Sequence, residues 1–166
     1  DVTIAERMKE AGYASAFFGK WHIAPSSGRG GKVADAVSPT GQGFDLNVGG
    51  TSYGGPPSFF SPYRNAELPD GTDGEYLPDR LVDETIRFAG ANKDKPWMAH
   101  LWFYTVHWPM QAPKGLLEKY ADRGGPGLND TRYGAMIEAM DLAIGRLLEA
   151  LKKMGMEKDT LVIFTS

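Results

Sequence analysis

Three apolar segments, each preceded by a segment with helical spacing of its apolar residues, constrain the fold of this sequence more than any other feature. The apolar segments are residues 13–18, 97–106 and 160–165, and we predict that each forms a buried strand. Two of the helical segments are residues 2–11 and 77–92. The third is a long helix that begins at a cap formed by Asp130 or Thr131 and ends at Gly155. This order predicts an α/β fold with a mostly parallel sheet flanked by helices. The run from Trp97 to Val106 is the most hydrophobic, and we predict that it forms a central strand.

A long segment rich in glycine and proline, residues 19–78, separates the first predicted strand from the second predicted helix. So many positions with positive or fixed φ disfavour regular elements over that length. The segment nevertheless contains aromatic anchors, namely Phe44, Tyr53, Phe59, Phe60 and Tyr63. Because long loops of this kind in folded domains are usually functional, we predict a packed loop with a functional role. A second loop contains a predicted short helix at residues 116–120.

Composition bounds the classes of function. The 166 residues suffice for one α/β domain, which we predict to extend over residues 1–166 and to be incomplete, because a helix opens the sequence and an apolar strand closes it. The net charge is −3 and no long basic run is present, so a nucleic acid is not an expected partner. The absence of cysteine excludes disulfides, thiolate zinc sites and a cysteine nucleophile within these residues. No apolar run approaches the roughly 20 residues of a membrane span.

Basic side chains follow two of the predicted strands. Lys20 and His22 are two positions apart in an extended segment, so their side chains point to the same side. His107 ends the second predicted strand, in a loop stiffened by proline. The carboxyl ends of parallel strands meet at one edge of a sheet, so we expect the three side chains to share a site for an oxyanion, with His107 placed to donate a proton to a leaving group. Taken alone, each cluster fits a snorkelling lysine or a structural loop histidine equally well.

Other polar residues fit structural roles better. His100 lies inside the predicted strand and is interpreted as a structural histidine. Asp79, Asp83 and Glu84 lie in the first turns of a predicted helix, where carboxylates interact with the helix dipole. The glycine-rich segment 26–31 lacks the lysine and the following helix of a phosphate loop.

Residues 3–22, TIAERMKEAGYASAFFGKWH, resemble the segment of formylglycine-dependent sulfatases in which a helix and a strand lead into a Gly-Lys-Trp-His turn. Further segments are similar to that family in the same order along the chain: residues 42–45, 76–80, 97–113, 133–148 and 161–166. The resemblance implies part of an alkaline-phosphatase-like α/β domain that hydrolyses sulfate esters. It further implies that Lys20 binds the sulfate oxygens, that His22 hydrogen-bonds the nucleophile, and that His107 contacts the sulfate and the bridging oxygen as the general acid.

Other parts of the family's catalytic machinery are not among these residues. The resemblance implies a formylglycine nucleophile, from Cys or Ser followed by x-Pro-x-Arg, and a calcium ion held by Asp-Asp and Asp-Asn pairs. Neither the nucleophile motif nor these metal ligands, nor the family's later lysine, occur in the matched positions. The sequence is therefore interpreted as the central part of a sulfatase. Alone, it is expected neither to bind calcium at the family site nor to turn over substrate.

Alternative functions remain open at this level. A phosphodiesterase or phosphonate hydrolase of the same superfamily would use similar geometry, and a non-catalytic relative would bind sulfated glycans without hydrolysing them. A purely structural domain is the third alternative. The expected partner is a sulfated small molecule or a sulfated glycan, on which Trp21, Trp108 or the aromatic stretch 53–63 could stack. Because sulfatases of this type are often exported, the resemblance is compatible with the periplasm, the exterior or the lysosome.

Overall fold

A computed structural model describes residues 1–165. Its sheet contains three parallel strands: β1 at Ala14–Gly19, β2 at Leu46–Val48 and β3 at Trp97–Trp102. The spatial order is β2-β1-β3, with Ala16 beside both Leu46 and Ala99. The predicted α/β class with a parallel sheet is confirmed. The predicted central position of the second strand is wrong, because β1 pairs on both sides whereas β3 pairs only with β1 among the described residues.

Four α-helices accompany the sheet in the part of the chain that the structure describes: α1 at Ile4–Glu10, α2 at Leu77–Ala91, α3 at Lys114–Tyr120 and α4 at Thr131–Lys153. Short 3₁₀ helices occur at Asp35–Val37, Thr40–Gln42 and Glu157–Asp159. A capping box starts α1, because the Thr3 hydroxyl accepts from the Glu6 N–H while the Glu6 carboxylate accepts from the Thr3 N–H. The Asp130 side chain caps α4 by accepting from the Arg132 N–H, as predicted.

Strand β2 lies inside the segment that the sequence predicts to be a loop. With only three residues, Leu46, Asn47 and Val48, β2 is too short to produce a recognisable strand pattern. The strand exists because β1 offers a free edge, on which Phe18 aligns with Val48. The formation of β2 therefore depends on its pairing with β1, a segment that is distant in the sequence.

The strand predicted at residues 160–165 is wrong for the described structure. These residues form no strand, and Leu161, Ile163 and Phe164 are 84%, 78% and 72% exposed. Their apolar, β-branched composition favours an extended strand, but a strand needs hydrogen-bonding neighbours and none of the described residues pairs with this segment. The last residue of the similar segment, Ser166, lies outside the described residues.

Two apolar clusters enclose β1 from its two faces. Phe18 packs in the larger cluster with Leu81 of α2 and Met136 of α4, all with no exposed surface. Phe17 points to the opposite face and packs edge-on against Trp21 and other aromatic rings. Because successive strand residues alternate between faces, burial on both sides fixes the register of β1 and the position of the residues that follow it.

The long segment between β1 and α2 is packed, as predicted from its aromatic content. Phe59 and Tyr63 are fully buried and Phe44 is almost so, whereas Phe60 is half-buried and Tyr53 is exposed. The Tyr63 hydroxyl donates to the Glu75 carboxylate at 2.7 Å, which ties the segment to the start of α2. No helix formed by residues 1–165 combines the length and the hydropathy that crossing a membrane requires.

Candidate active site

Lys20 and His107 come together at the carboxyl end of the sheet. Lys20 follows β1 directly, and its backbone N–H donates to the carbonyl of Trp102, the last residue of β3, at 2.7 Å. His107 lies in the turn after β3, where its N–H donates to the Tyr104 carbonyl at 3.0 Å. The Lys20 Nζ and the His107 Nε2 atoms are 2.9 Å apart. Parallel pairing of β1 with β3 therefore brings together two side chains that are far apart in the sequence.

The contact between these side chains fixes the protonation pattern of the imidazole. A lysine ammonium has three N–H donors and no acceptor, so Nε2 of His107 accepts and the neutral ring carries its proton on Nδ1. Burial, the charge of Lys20 and the charge of His22 all lower the pKa of His107 below its ordinary value. The pair thus combines the positive charge of Lys20 with an imidazole whose charged form is disfavoured.

His22 is held near the pair by its backbone and by a glycine. Its φ of 53° lies in the left-handed region, which is uncommon for a residue with a side chain, and its N–H donates to the Thr51 carbonyl at 3.0 Å. A Cβ on Gly54 would lie 2.6 Å from Cε1 of the His22 ring, so only glycine lets the ring pack there. Such backbone strain is concentrated at functional sites.

A buried hydrogen-bond network joins the segment that supports His22 to the loop that carries His107. The Tyr104 hydroxyl donates to the Gly49 carbonyl at 2.8 Å, which leaves its oxygen to accept from the Thr51 hydroxyl at 3.2 Å. Tyr104 is 1% exposed and Thr51 equally buried. Sequence reasoning missed both residues, because a threonine and a tyrosine without a motif give no signal: Thr51 lies in the glycine-rich segment and Tyr104 inside the predicted strand 97–106.

Trp21 lies between the two site residues in the sequence but points to the other face of the sheet. It is buried, its Nε1–H donates to the Val37 carbonyl at 2.8 Å, and its ring is stacked on that of Trp102. A role in stacking on a sugar is therefore wrong for Trp21. Its burial anchors the turn and leaves Lys20 and His22 on the opposite side.

His100 has the structural surroundings that the sequence indicates, whereas Asp79 and Asp83 form ion pairs with α4 and are not simply solvated partners of the helix dipole. The His100 ring packs against Phe44 and Trp102, and burial lowers its pKa. Asp79 and Asp83 each pair with the Arg146 guanidinium, at 3.1 and 2.6 Å. In residues 1–165, no three His, Asp or Glu side chains cluster closely enough to hold a metal ion. The described residues therefore do not fit the calcium that the resemblance implies.

Comparison with known proteins identifies the class and then the family. The class is an α/β protein with a parallel sheet flanked by helices, and a solved structure of Ps i-CgsB in complex with k-i-k-neocarrahexaose superposes on it with a TM-score of 0.72. That match has 24% identity and covers 92% of this chain and 37% of the other. The sulfatase family model matches residues 1–166, and the chain therefore belongs to the sulfatase family.

Curated relatives agree with this assignment. Arylsulfatase J of Mus musculus is 26% identical over 181 residues, a match that covers 100% of this chain and 28% of the mouse protein. An ulvan-active sulfatase of Formosa agariphila is 27% identical over 190 residues, covering 100% of this chain and 35% of that protein. The chain thus spans about a third of the length of these relatives.

Proposed function

We propose that, in the intact protein, Lys20, His22 and His107 bind the sulfate group of a sulfate ester and assist its hydrolysis. The observation that carries the proposal is the 2.9 Å contact between the Lys20 ammonium and the His107 imidazole at the carboxyl end of the sheet. These two adjacent side chains carry a net positive charge and hydrogen-bonding groups, so together they can bind a tetrahedral anion. Membership of the sulfatase family supports sulfate as that anion.

Lys20 is proposed to bind the peripheral oxygens of the sulfate. The strand that precedes Lys20 is buried on both faces and fixes the backbone from which the ammonium directs its three N–H donors to the anion. As the S–O ester bond breaks, its electron pair passes to the bridging oxygen, and a cation placed at the sulfate stabilises the charge of the transition state more than that of the bound ester.

His107 is proposed to protonate the leaving alcohol. In the structure, burial and then the positive charge of Lys20 disfavour the imidazolium and lower the pKa of the His107 ring. A bound sulfate would offset that charge and raise the pKa, so the ring would take up a proton on Nε2 and could deliver it to the bridging oxygen. His22, whose charge acts on His107, is proposed to hydrogen-bond the nucleophile.

Calcium and the formylglycine nucleophile remain proposals for the intact protein, with the metal ligands and the modified residue outside these 166 residues. Whether the 166 residues alone turn over a substrate is a separate question, and we propose that they do not.

Steady-state hydrolysis by the intact protein tests the proposal. Lys20→Ala and His107→Ala should each lower kcat/KM for an aryl sulfate by about 100-fold or more, as loss of a transition-state hydrogen bond does. Lys32→Ala and His100→Gln are matched controls, since Lys32 is exposed and His100 lies away from the pair within β3. Unchanged turnover in both site variants would overturn the proposal.

A parallel assay with a phosphodiester and a phosphonate monoester separates the superfamily alternatives. If the protein hydrolyses either phosphorus ester faster than the sulfate ester, the proposed sulfatase activity is wrong and the intact protein is a phosphodiesterase or a phosphonate hydrolase. Tight binding of a sulfated oligosaccharide without turnover would instead identify a non-catalytic binder.

A further inference from the structure

Two pairs, each of an arginine over an aromatic ring, lie directly beside the site residues. The Arg132 guanidinium is 5.6 Å from the ring centre of Trp108, the residue after His107. The Arg29 guanidinium is 5.2 Å from the ring centre of Tyr53, the residue before Gly54, which contacts the His22 ring. We call these pairs the Trp108 pair and the Tyr53 pair.

The loops that carry the two aromatic residues contact each other. A Cβ on Gly55 would lie 2.5 Å from the Trp108 carbonyl oxygen, so the backbone of the 53–55 segment passes against the loop after His107. The Tyr53 pair and the Trp108 pair are therefore carried by two adjoining loops, one in contact with the His22 ring and the other containing His107.

Both aromatic rings are open to solvent, although large aromatic side chains usually bury most of their surface. Trp108 is 64% exposed and Tyr53 is 39% exposed, in contrast to the buried Trp21, Phe59 and Tyr63. An exposed indole or phenol face beside a binding site can stack on the C–H face of a sugar ring with a small loss of conformational entropy.

The arginines add a preference for anionic sugars. Arg29 makes no ion pair with any of the described residues 1–165, so its guanidinium keeps its fork of donors for a ligand. Arg132 is held by Asp130, through Nη2 to Oδ2 at 2.7 Å and Nε to Oδ1 at 2.9 Å. We therefore assign Arg29 to an anionic group of the ligand, whereas Arg132 keeps the Trp108 ring in position.

We infer that Arg29, Tyr53 and Trp108 form an accessory subsite for a second anionic sugar of a multiply charged oligosaccharide, next to the sulfate ester held by Lys20 and His107. The inference rests on the proposed function. It deepens that function by selecting a polyanionic glycan over a monosulfated small molecule: Trp108 and Tyr53 stack on sugar rings, and Arg29 forms a charge-assisted bidentate contact with a sulfate or carboxylate group.

The experiment uses the intact protein with sulfated carrageenan, ulvan and heparin oligosaccharides and with p-nitrophenyl sulfate. For at least one oligosaccharide, Arg29→Gln and Trp108→Ala should lower kcat/KM at least tenfold more than they lower it for p-nitrophenyl sulfate. Calorimetry should show a matching loss of affinity for that oligosaccharide. Arg7→Gln is the matched control, because Arg7 is an exposed arginine on α1 that pairs with Glu10.

The outcomes separate the inference from the proposed function. If no ester is hydrolysed but the oligosaccharide binds through Arg29 and Trp108, the hydrolytic function fails and the subsite stands. If p-nitrophenyl sulfate is hydrolysed, and Arg29→Gln and Trp108→Ala lower kcat/KM by the same factor for every substrate, the subsite is refuted while the proposed function stands. Absence of binding to every oligosaccharide, or equal binding by the variants and the wild type, also overturns the inference.

Discussion

Gly19 and Trp102 are in backbone contact at the carboxyl end of the sheet: a Cβ on Gly19 would lie 2.0 Å from the Trp102 carbonyl oxygen. That carbonyl also accepts the hydrogen bond from the Lys20 N–H. Gly19 has a φ of 93°, a conformation that side chains disfavour. The close approach of β1 and β3 immediately before the site therefore depends on the absence of a side chain.

Gly19→Ala should consequently destabilise the protein by about 2 kcal/mol or more and weaken anion binding by Lys20, because the two strand ends must separate. Gly12→Ala is the matched control: its φ is 80°, but its Cβ would have nothing within 4 Å, so only the conformational cost of about 1 kcal/mol applies. Urea denaturation of the intact variants measures both effects. Equal destabilisation by the two substitutions would contradict the steric argument.

Tyr104→Phe should destabilise the protein by about 1–3 kcal/mol, because the Gly49 carbonyl and the Thr51 hydroxyl each lose a buried hydrogen-bond partner. Since the same network supports the backbone contact of His22 with Thr51, binding of inorganic sulfate should weaken as well. Tyr13→Phe serves as the control at a half-exposed tyrosine. Wild-type stability and affinity in Tyr104→Phe would show that the network does not hold the site.

Folding stability should decrease as the pH falls below about 6.5, the ordinary pKa of histidine. The pKa values of His100 and His107 are both lowered in the folded protein, so the unfolded chain takes up protons first. The contribution of these two histidines to the free energy of unfolding is constant above about pH 6.5 and decreases below it. It levels off once the pH is below the pKa values of the histidines in the folded protein. Between about pH 7.5 and 5.5, the urea concentration at the midpoint of unfolding should decrease less in His100→Gln than in the wild type. The same pH dependence in wild type and variant would refute the assignment to His100.

Inorganic sulfate should bind more tightly to the intact protein as the pH falls from about 7.5 to 5.5, because the anion favours the imidazolium form of His107. Calorimetry at the two pH values measures the change, and proton uptake should accompany binding. His107→Gln should remove most of this pH dependence while Lys20 still contributes affinity. Binding that is independent of pH in the wild type would argue against a role for His107 as a proton donor.

The sequence indicated the segments that decide the class of fold. Apolar composition and spacing predicted β1, α2, β3 and α4, since they reflect which residues face the core, but β3 ends at Trp102 and not at residue 106 as predicted. It also placed Lys20 and His107 after strands that turned out to be neighbours. Sequence reasoning failed at β2, at the position of β3 in the sheet and at residues 160–165, because strand pairing joins distant segments and leaves little local trace.

By itself, then, the sequence determined the α/β class, the packed loop and the residue types available for an anion site, because these follow from local composition and spacing. Only the tertiary structure decided which side chains meet. Parallel pairing of β1 with β3 brought the Lys20 amine within 2.9 Å of the His107 imidazole, and the Trp102 carbonyl holds the Lys20 backbone at the end of β3. Contacts across such separations depend on the register of strands and on close backbone packing, which no short stretch of residues encodes.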